Sequence, residues 1–306
     1  MTRKIPVTVL GATGVVGQRF VRRLSNHPSF AIEHLAASER SEGLRYDQAC
    51  SWKLNGHPFA GMGTTKLVAA HPDTALSPVV FSALDTGPAH EIEPLFAKAG
   101  ATVFSNASAF RMAEDTPLLV PEVNPEHLEL LTLQRARRGW TGGILTNPNC
   151  TTTILVMALV PLFRDFGIRR VSMTSMQAVS GAGYPGVPSL DILGNVIPFI
   201  SGEESKVEVE TAKILGAFTG DGIRAAELVI SAACHRVPVM DGHTLAVSVE
   251  LEGDPAPEDV TRSLRAFRSL PQELDLPSAP KPCLRVHDAD DRPQVRRDVD
   301  DDEGMS

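Results

Sequence analysis

One cysteine stands where thiol chemistry needs it. In Thr146-Asn147-Pro148-Asn149-Cys150-Thr151-Thr152-Thr153, the residues before Cys150 (Gly142 to Thr146, GGILT) read as a short strand. After it, Ile154, Leu155, Met157, Ala158, Val160 and Leu162 are dense enough in apolar side chains to predict a buried helix that starts at the cysteine. Pro148 breaks the strand, and Asn147 or Asn149 can cap the helix. A thiol at that point feels unpaired backbone N–H groups and the positive end of the helix dipole, which favour the thiolate. The same N–H groups could hold an oxyanion once the sulfur has attacked a carbonyl. A lone cysteine is as readily a buried packing residue, so the chemistry depends on its neighbours.

A base and a cation are offered further along. Asp241-Gly242, between Val237-Pro238-Val239-Met240 and His243-Thr244-Leu245, is a two-residue hairpin signal. In such a hairpin Met240 lies opposite His243, so Arg236, four residues before Met240, shares a face with the histidine. Pro238 implies an edge strand or a bulge there, and a strand histidine can be structural instead of catalytic. Gln177 ends the preceding strand and leads into Ser180-Gly181-Ala182-Gly183-Tyr184-Pro185-Gly186, a glycine-rich loop or a surface turn. Glu203 and Lys206 lie three apart at a helix start; they form an exposed ion pair or meet an ionic substrate.

The other chemistry-bearing stretch is at the front. Ile5 to Leu10 runs into Gly11-Ala12-Thr13-Gly14-Val15-Val16-Gly17, followed by Phe20, Val21 and Leu24 at helical spacing. Strand, glycine turn and helix are the context in which a backbone can approach a pyrophosphate, although the GxxGxxG spacing is looser than GxGxxG. The second strand, Ala31 to Ala37, ends in Ser38-Glu39-Arg40-Ser41. Hydroxyls beside an arginine suit a ribose 2′-phosphate and favour NADP over NAD, with Glu39 as a counter-signal.

Elements must hold these groups. Val79 to Leu84, Ala101 to Ser105, Leu118 to Val123 and Ile144 to Thr146 read as further strands, with helices near Glu91 to Lys98 and Pro125 to Leu131. That alternation predicts an α/β fold, a Rossmann-type doubly wound parallel sheet whose ligand edge collects Gly11, Ser38, Ser82, Ser105-Asn106 and Cys150. From Gly167 the pattern changes: Arg170 to Val179, Ala226 to Val239 and His243 to Leu251 read as long strands, with helices near Glu204 to Phe218 and Pro257 to Phe267. An α+β domain with a mixed or antiparallel sheet is expected there. The expected division is a nucleotide domain over residues 1–149 and a catalytic and oligomerisation domain over 150–306.

Composition removes several function classes. Two domains are the prior for 306 residues that are 42% hydrophobic and 22% charged. No apolar run is long enough to cross a bilayer and no leader precedes the first strand, which predicts a soluble, cytoplasmic protein. The four cysteines, Cys50, Cys150, Cys234 and Cys283, are far apart and suggest neither a metal site nor a disulfide framework. The net charge of −8 is concentrated in an acidic tail from His287 to Ser306, and no basic stripe argues for nucleic acid.

Taken together the motifs resemble aspartate-β-semialdehyde dehydrogenase in its archaeal and fungal branch. The resemblance rests on GATGVVGQRF from Gly11, AASERS from Ala36, SNAS from Ser105, VPEVN from Val120 and NPNCTT from Asn147. It continues through QAVSGAGYPGVPSLDILGNVIPFI from Gln177, GEESK from Gly202 and RVPVMDGHT from Arg236. It implies Cys150 as nucleophile, His243 as acid and base, and Gln177 as the residue orienting the substrate. It further implies Arg236 and Glu203 for the substrate's carboxylate and amine, and Arg111, Asn149 and Lys206 for phosphate. NADP would meet Gly11, Thr13, Gly14, Val15, Gly17, Ser82, Ser180 and Gly181, with Ser38, Arg40 and Ser41 at its 2′-phosphate. The implied activity joins aspartate semialdehyde and phosphate to aspartyl phosphate through a cysteine thioester, on the route to lysine, threonine and methionine, in a homodimer or homotetramer.

Two departures from the family pattern are visible: His235 stands where asparagine is usual, and the chain stops at Ser306 where relatives continue into a strand and a helix. An uncovered apolar face on the first domain is the expectation that follows. The alternatives are a malonyl-CoA reductase, which needs the same thiol and base, and a non-catalytic remnant.

Overall fold

The computed structural model describes residues 3–305, which divide by their contacts into two compact units. Among these the first comprises residues 3–118, 127–147 and 220–222; the second comprises 119–126, 148–219 and 223–305.

The first unit is built on a parallel sheet of six strands: β1 (Ile5–Leu10), β2 (Phe30–Ala37), β3 (Val68–Ala69), β4 (Val79–Ser82), β5 (Thr102–Ser105) and β6 (Gly143–Thr146). Their spatial order is β3-β2-β1-β4-β5-β6, the doubly wound arrangement, in which the chain starts in mid-sheet and winds outward in both directions. Successive side chains of a strand point to opposite faces, so Val7 and Val9 join Val21 and Leu24 of α1 (Val15–Leu24) in one core. Leu10 and Val80 join Phe96 and Ala97 of α2 (Thr86–Lys98) in a second core. Register aligns Leu10 with Ser82, Ser82 with Ser105, and Ser105 with Thr146. The loops that carry Gly11, Asn106 and Asn147 therefore leave from one edge.

The expected strand from Leu118 to Val123 does not form. Only Leu118 bridges to Thr146, and the chain then turns, with Val123 N–H bonded to the Val120 carbonyl. Pro121 has no N–H to give a ladder, and the Asn124 side chain takes the Val120 N–H instead. The helix expected over Pro125 to Leu131 is a single tight turn, Pro125–Glu129, that runs into α3 (Leu130–Arg138) and so extends seven residues further.

The second unit centres on β7 (Ile168–Gln177), flanked by β10 (Val229–Arg236), which runs parallel to it, and β11 (Thr244–Leu251), which runs antiparallel; β8 (Ala217–Phe218) and β9 (Ile223–Arg224) form a separate small ribbon. Along β7, Val171, Met173, Ser175 and Gln177 are buried while Ser172 and Thr174 are exposed, the alternation of a sheet covered on one side. The covering helices are α4 (Cys150–Phe166) and α5 (Glu203–Ile214), with α6 (Pro257–Ala266) packed on α4. Helix α4 buries Leu155, Val156, Leu159 and Val160, each a gain of about 1.5–3 kcal/mol. It is not buried all round, however, because Ile154 and Ala158 form an exposed line.

The hairpin expected at Asp241-Gly242 is absent: β10 and β11 lie on opposite sides of β7 and do not pair with each other. Pro238 cannot donate to a ladder, and the stretch around it bonds instead to the exit of β7. Val237 N–H reaches the Gln177 carbonyl, Val179 N–H the Val239 carbonyl, and Ser180 N–H the Met240 carbonyl. Gly242, at φ 86°, still supplies a turn, but one that carries the chain across the end of β7.

Candidate active site

In the first unit the glycine turn has the geometry of an anion cradle. Gly11 has φ 69°, and a Cβ there would lie 2.6 Å from the Ala83 carbonyl oxygen; a Cβ on Gly17 would lie 2.2 Å from the Gly11 carbonyl oxygen. Only glycine lets α1 press this closely on the turn. Gly14 is the N-cap of α1, no side chain caps the helix, and its first turn holds no acid. Its N-terminal N–H groups are thus left for a ligand, the arrangement that suits a dinucleotide pyrophosphate, with Thr13 and Val15 on either side. Ser38 opens the turn Glu39–Ser41; Ser38 and Arg40 are exposed and Ser41 half-buried. Arg40 has no partner among the described residues.

Ser82 is different from its expected role. It is fully buried, its hydroxyl faces Glu93, and its carbonyl accepts the Asn106 N–H at 3.0 Å. Glu93 accepts from Ser105 Oγ at 2.6 Å, and burial pushes its carboxyl above the usual range. The Ser82 side chain therefore packs this buried acid and does not point to the sheet edge. Arg111, also in this unit, donates to the Asn106 carbonyl at 2.9 Å.

The thiol and its neighbours all belong to the second unit. Cys150 is the first residue of α4, and its Sγ lies 3.2 Å from His243 Nε2. The imidazole is fixed from behind by the Ala178 N–H, which donates to Nδ1 at 3.1 Å. An N–H cannot accept, so in the neutral ring Nδ1 bears the lone pair and the single proton sits on Nε2, facing the sulfur. The Ala178 carbonyl accepts from Arg236 Nη1 at 2.8 Å. Arg236 and His243 therefore converge as the sequence suggested, but through the exit of β7 and not across a hairpin. Gln177, also at that exit, donates from Nε2 to Glu203 Oε1 at 3.2 Å.

Asn149 caps α4, with Oδ1 accepting from Thr151 N–H at 2.9 Å and Thr152 N–H at 3.2 Å. Its Nδ2 donates to Glu203 Oε1 at 2.8 Å. This changes the electrostatic expectation. Part of the positive helix end that was to favour a thiolate is taken up by its own cap, and Glu203 brings a negative charge close. Cys150 keeps an exposed surface, yet the protein crowded around the sulfur, and then Glu203, push its thiol above the usual value. Burial, and then the Arg236 cation, push His243 below its usual value. Both shifts favour a neutral thiol beside a neutral imidazole at rest over a preformed ion pair.

Of the expected phosphate ligands, Asn149 has its amide engaged on both sides. Lys206 is half-buried on α5 and forms no pair with Glu203, while Arg111 belongs to the other unit. Ser180 is exposed on the short turn Val179–Ala182. Gly181 in the same turn has a role that the sequence did not signal: a Cβ there would lie 2.7 Å from Arg236 Nη1 and 3.0 Å from His243 Cε1. Gly181→Ala is expected to push both groups aside and lower kcat by about 10²-fold, the cost of a displacement near 1 Å at reacting groups. Steady-state kinetics on a variant with an unchanged melting curve would test it. Among the described residues no cluster of three or more potential ligands could hold a metal ion, and no helix is long and apolar enough to cross a membrane.

Comparisons with known proteins place the chain in a family. Residues 6–131 match the family model described as semialdehyde dehydrogenase, NAD binding domain, and residues 159–305 match semialdehyde dehydrogenase, dimerisation domain. An aspartate-semialdehyde dehydrogenase of Archaeoglobus fulgidus is 52% identical over 300 residues, covering 98% of this chain and 86% of the relative. That of Cryptococcus neoformans is 46% identical over 310 residues, covering 96% and 84%. The crystal structure of the Candida albicans enzyme with NADP superposes with a TM-score of 0.90 at 42% identity, covering 99% of this chain and 87% of that one.

Proposed function

This chain belongs to the aspartate-semialdehyde dehydrogenase family, and from that premise we propose that it interconverts L-aspartate 4-semialdehyde plus phosphate with L-4-aspartyl phosphate, using NADP. The observation that carries the reading is the 3.2 Å approach of Cys150 Sγ to His243 Nε2 at a helix start. In the oxidative direction Cys150 Sγ gives its proton to solvent and adds as the thiolate to the aldehyde carbon. The oxygen that turns negative is held by the His243 Nε2–H, which already faces the sulfur. Hydride then leaves the tetrahedral carbon as its oxygen reforms a carbonyl, and a thioester on Cys150 results. NADP, when bound, supplies the acceptor for that hydride. Phosphate oxygen attacks the thioester carbon, the C–S bond breaks, and the Cys150 thiolate is the leaving group.

The Arg236 guanidinium is the natural partner for the substrate carboxylate and the buried Glu203 carboxylate for its ammonium group, with Gln177 holding Glu203 in place. Lys206, on the same helix as Glu203, is the cation this unit offers to phosphate. The Gly11–Gly17 turn would take the pyrophosphate, and Ser38, Arg40 and Ser41 the 2′-phosphate. A homodimer or homotetramer working in the cytoplasm on the way to lysine, threonine and methionine completes the reading, supported by the dimerisation-domain match and by the names of the relatives.

The test is NADPH formation from aspartate semialdehyde, which should require both NADP and phosphate. Reduction of malonyl-CoA by NADPH, with no turnover of the semialdehyde, would overturn the reading. Arg40→Ala is expected to raise the KM for NADP by about 10–100-fold, the worth of one charge-assisted phosphate contact, and to leave the KM for NAD unchanged. Parallel titrations of the two cofactors measure it.

A further inference from the structure

The residue before the thiol is held at every polar group it has. Besides the Oδ1 and Nδ2 bonds already described, the Asn149 carbonyl accepts from Thr153 N–H at 2.9 Å and from Thr153 Oγ1 at 3.1 Å. Its own N–H donates to Glu210 Oε2 at 2.6 Å, across 61 residues of sequence. Glu203 and Glu210 lie two turns apart on one side of α5, and both are buried, at 7% and 2% exposure. One helix thus clamps Asn149 with two carboxylates, one on the side-chain amide and one on the peptide N–H. Glu203 is within reach of the sulfur's electrostatics; Glu210 is not among the charges felt there. Its Oε2 meets the Asn149 backbone N–H.

We propose that Glu210 is a positioning residue for the nucleophile: by accepting the Asn149 N–H it sets the start of α4 and so the place of Cys150 Sγ relative to His243. The proposal rests on the reading of Cys150 as nucleophile given above. Asn149 is 8% exposed, so without Glu210 its N–H has little water to turn to. A buried donor without an acceptor is costly, and the backbone would shift to find one. The loss then appears in kcat, because reacting groups misplaced by a fraction of an ångström lose orders of magnitude, while the cofactor's binding is untouched.

Two isosteric variants separate the hydrogen bond from the charge and from mere packing. Glu210→Gln keeps an acceptor oxygen; Glu210→Met keeps the shape and offers only a weak thioether acceptor. Glu210→Met is expected to lower kcat about 10–100-fold with the KM for NADP unchanged. It should also move the pH midpoint of Cys150 alkylation by iodoacetamide, measured without substrate, by more than about half a unit. Glu210→Gln is expected to stay within about three-fold of wild type and to keep its alkylation midpoint. Equal behaviour of the two variants, a glutamine variant as impaired as the methionine one, or a methionine variant that has lost its cooperative melt each overturns the proposal. Alkylation needs no substrate, so it judges Glu210 even if the wild-type protein fails to turn over aspartate semialdehyde, which would instead overturn the reading of the reaction.

Discussion

Cys150→Ser leaves less than about 0.1% of wild-type turnover in either direction, with the fold intact. Cys150 keeps an exposed surface at the first position of α4, and serine differs from it by one atom, so the exchange costs the fold little. What it removes is the only side chain there that can both attack a carbonyl as an anion near neutral pH and leave again from a thioester. A serine hydroxyl ionises far higher, and the ester it formed would resist phosphate. NADP binding should persist, since the glycine turn and the Ser38–Ser41 stretch belong to the other unit. Turnover by the serine protein above about 1% of wild type would remove Cys150 from the reaction.

His243→Ala is expected to lower kcat by about 10²–10⁴-fold, the usual worth of a positioned proton-transfer or oxyanion-binding group. Its pH behaviour is the sharper test. The thiol lies above its usual value and the imidazole below its own. As pH falls through neutrality the histidine stays uncharged while the cysteine stays protonated. Alkylation of the wild-type Cys150 should therefore rise with pH throughout the neutral and mildly alkaline range. A flat reactive plateau at low pH, the signature of a thiolate paired with an imidazolium, is not expected. In His243→Ala the sulfur loses the Nε2–H donor, so the same profile should move to still higher pH. A shift to lower pH would mean that relief of burial outweighs the lost donor, and the stabilising role given to Nε2–H would fail. The buried Cys50 serves as an internal control for general unfolding in the same samples.

Much of this could be read from local pattern. β1 with its glycine turn and α1 have a period of two followed by a period near 3.6, and the sequence places their boundaries within a few residues. The apolar helix after Asn149 was equally plain, as was the change of pattern after Gly167. The errors have physical causes. Asp241-Gly242 has the chemistry of a tight turn, but turn chemistry does not say which strand the chain returns to, and Pro238 decided against the neighbour. Leu118 to Val123 has the apolar content of a strand, yet Pro121 and the Asn124 side chain divert its hydrogen bonds. The sequence offers Asn147 or Asn149 as the cap on α4 but does not show the effect of Asn149: a side chain that stabilises the helix start competes with the thiol for the same N–H groups. Glu210 was invisible because its partner is a backbone N–H far away in sequence, and a glutamate two turns along a helix from another looks like any solvated residue.

The way Ala178 holds the base and the cation has a consequence for how such sites are surveyed. Its amide hydrogen goes to one partner and its carbonyl oxygen to the other, and the methyl group touches neither role. A mutational scan that trims side chains to alanine passes over this position, since there is nothing left to trim. The linkage between ring and guanidinium is likewise sheltered from sequence drift, and an amide-to-ester exchange made by chemical synthesis would be the way to cut it.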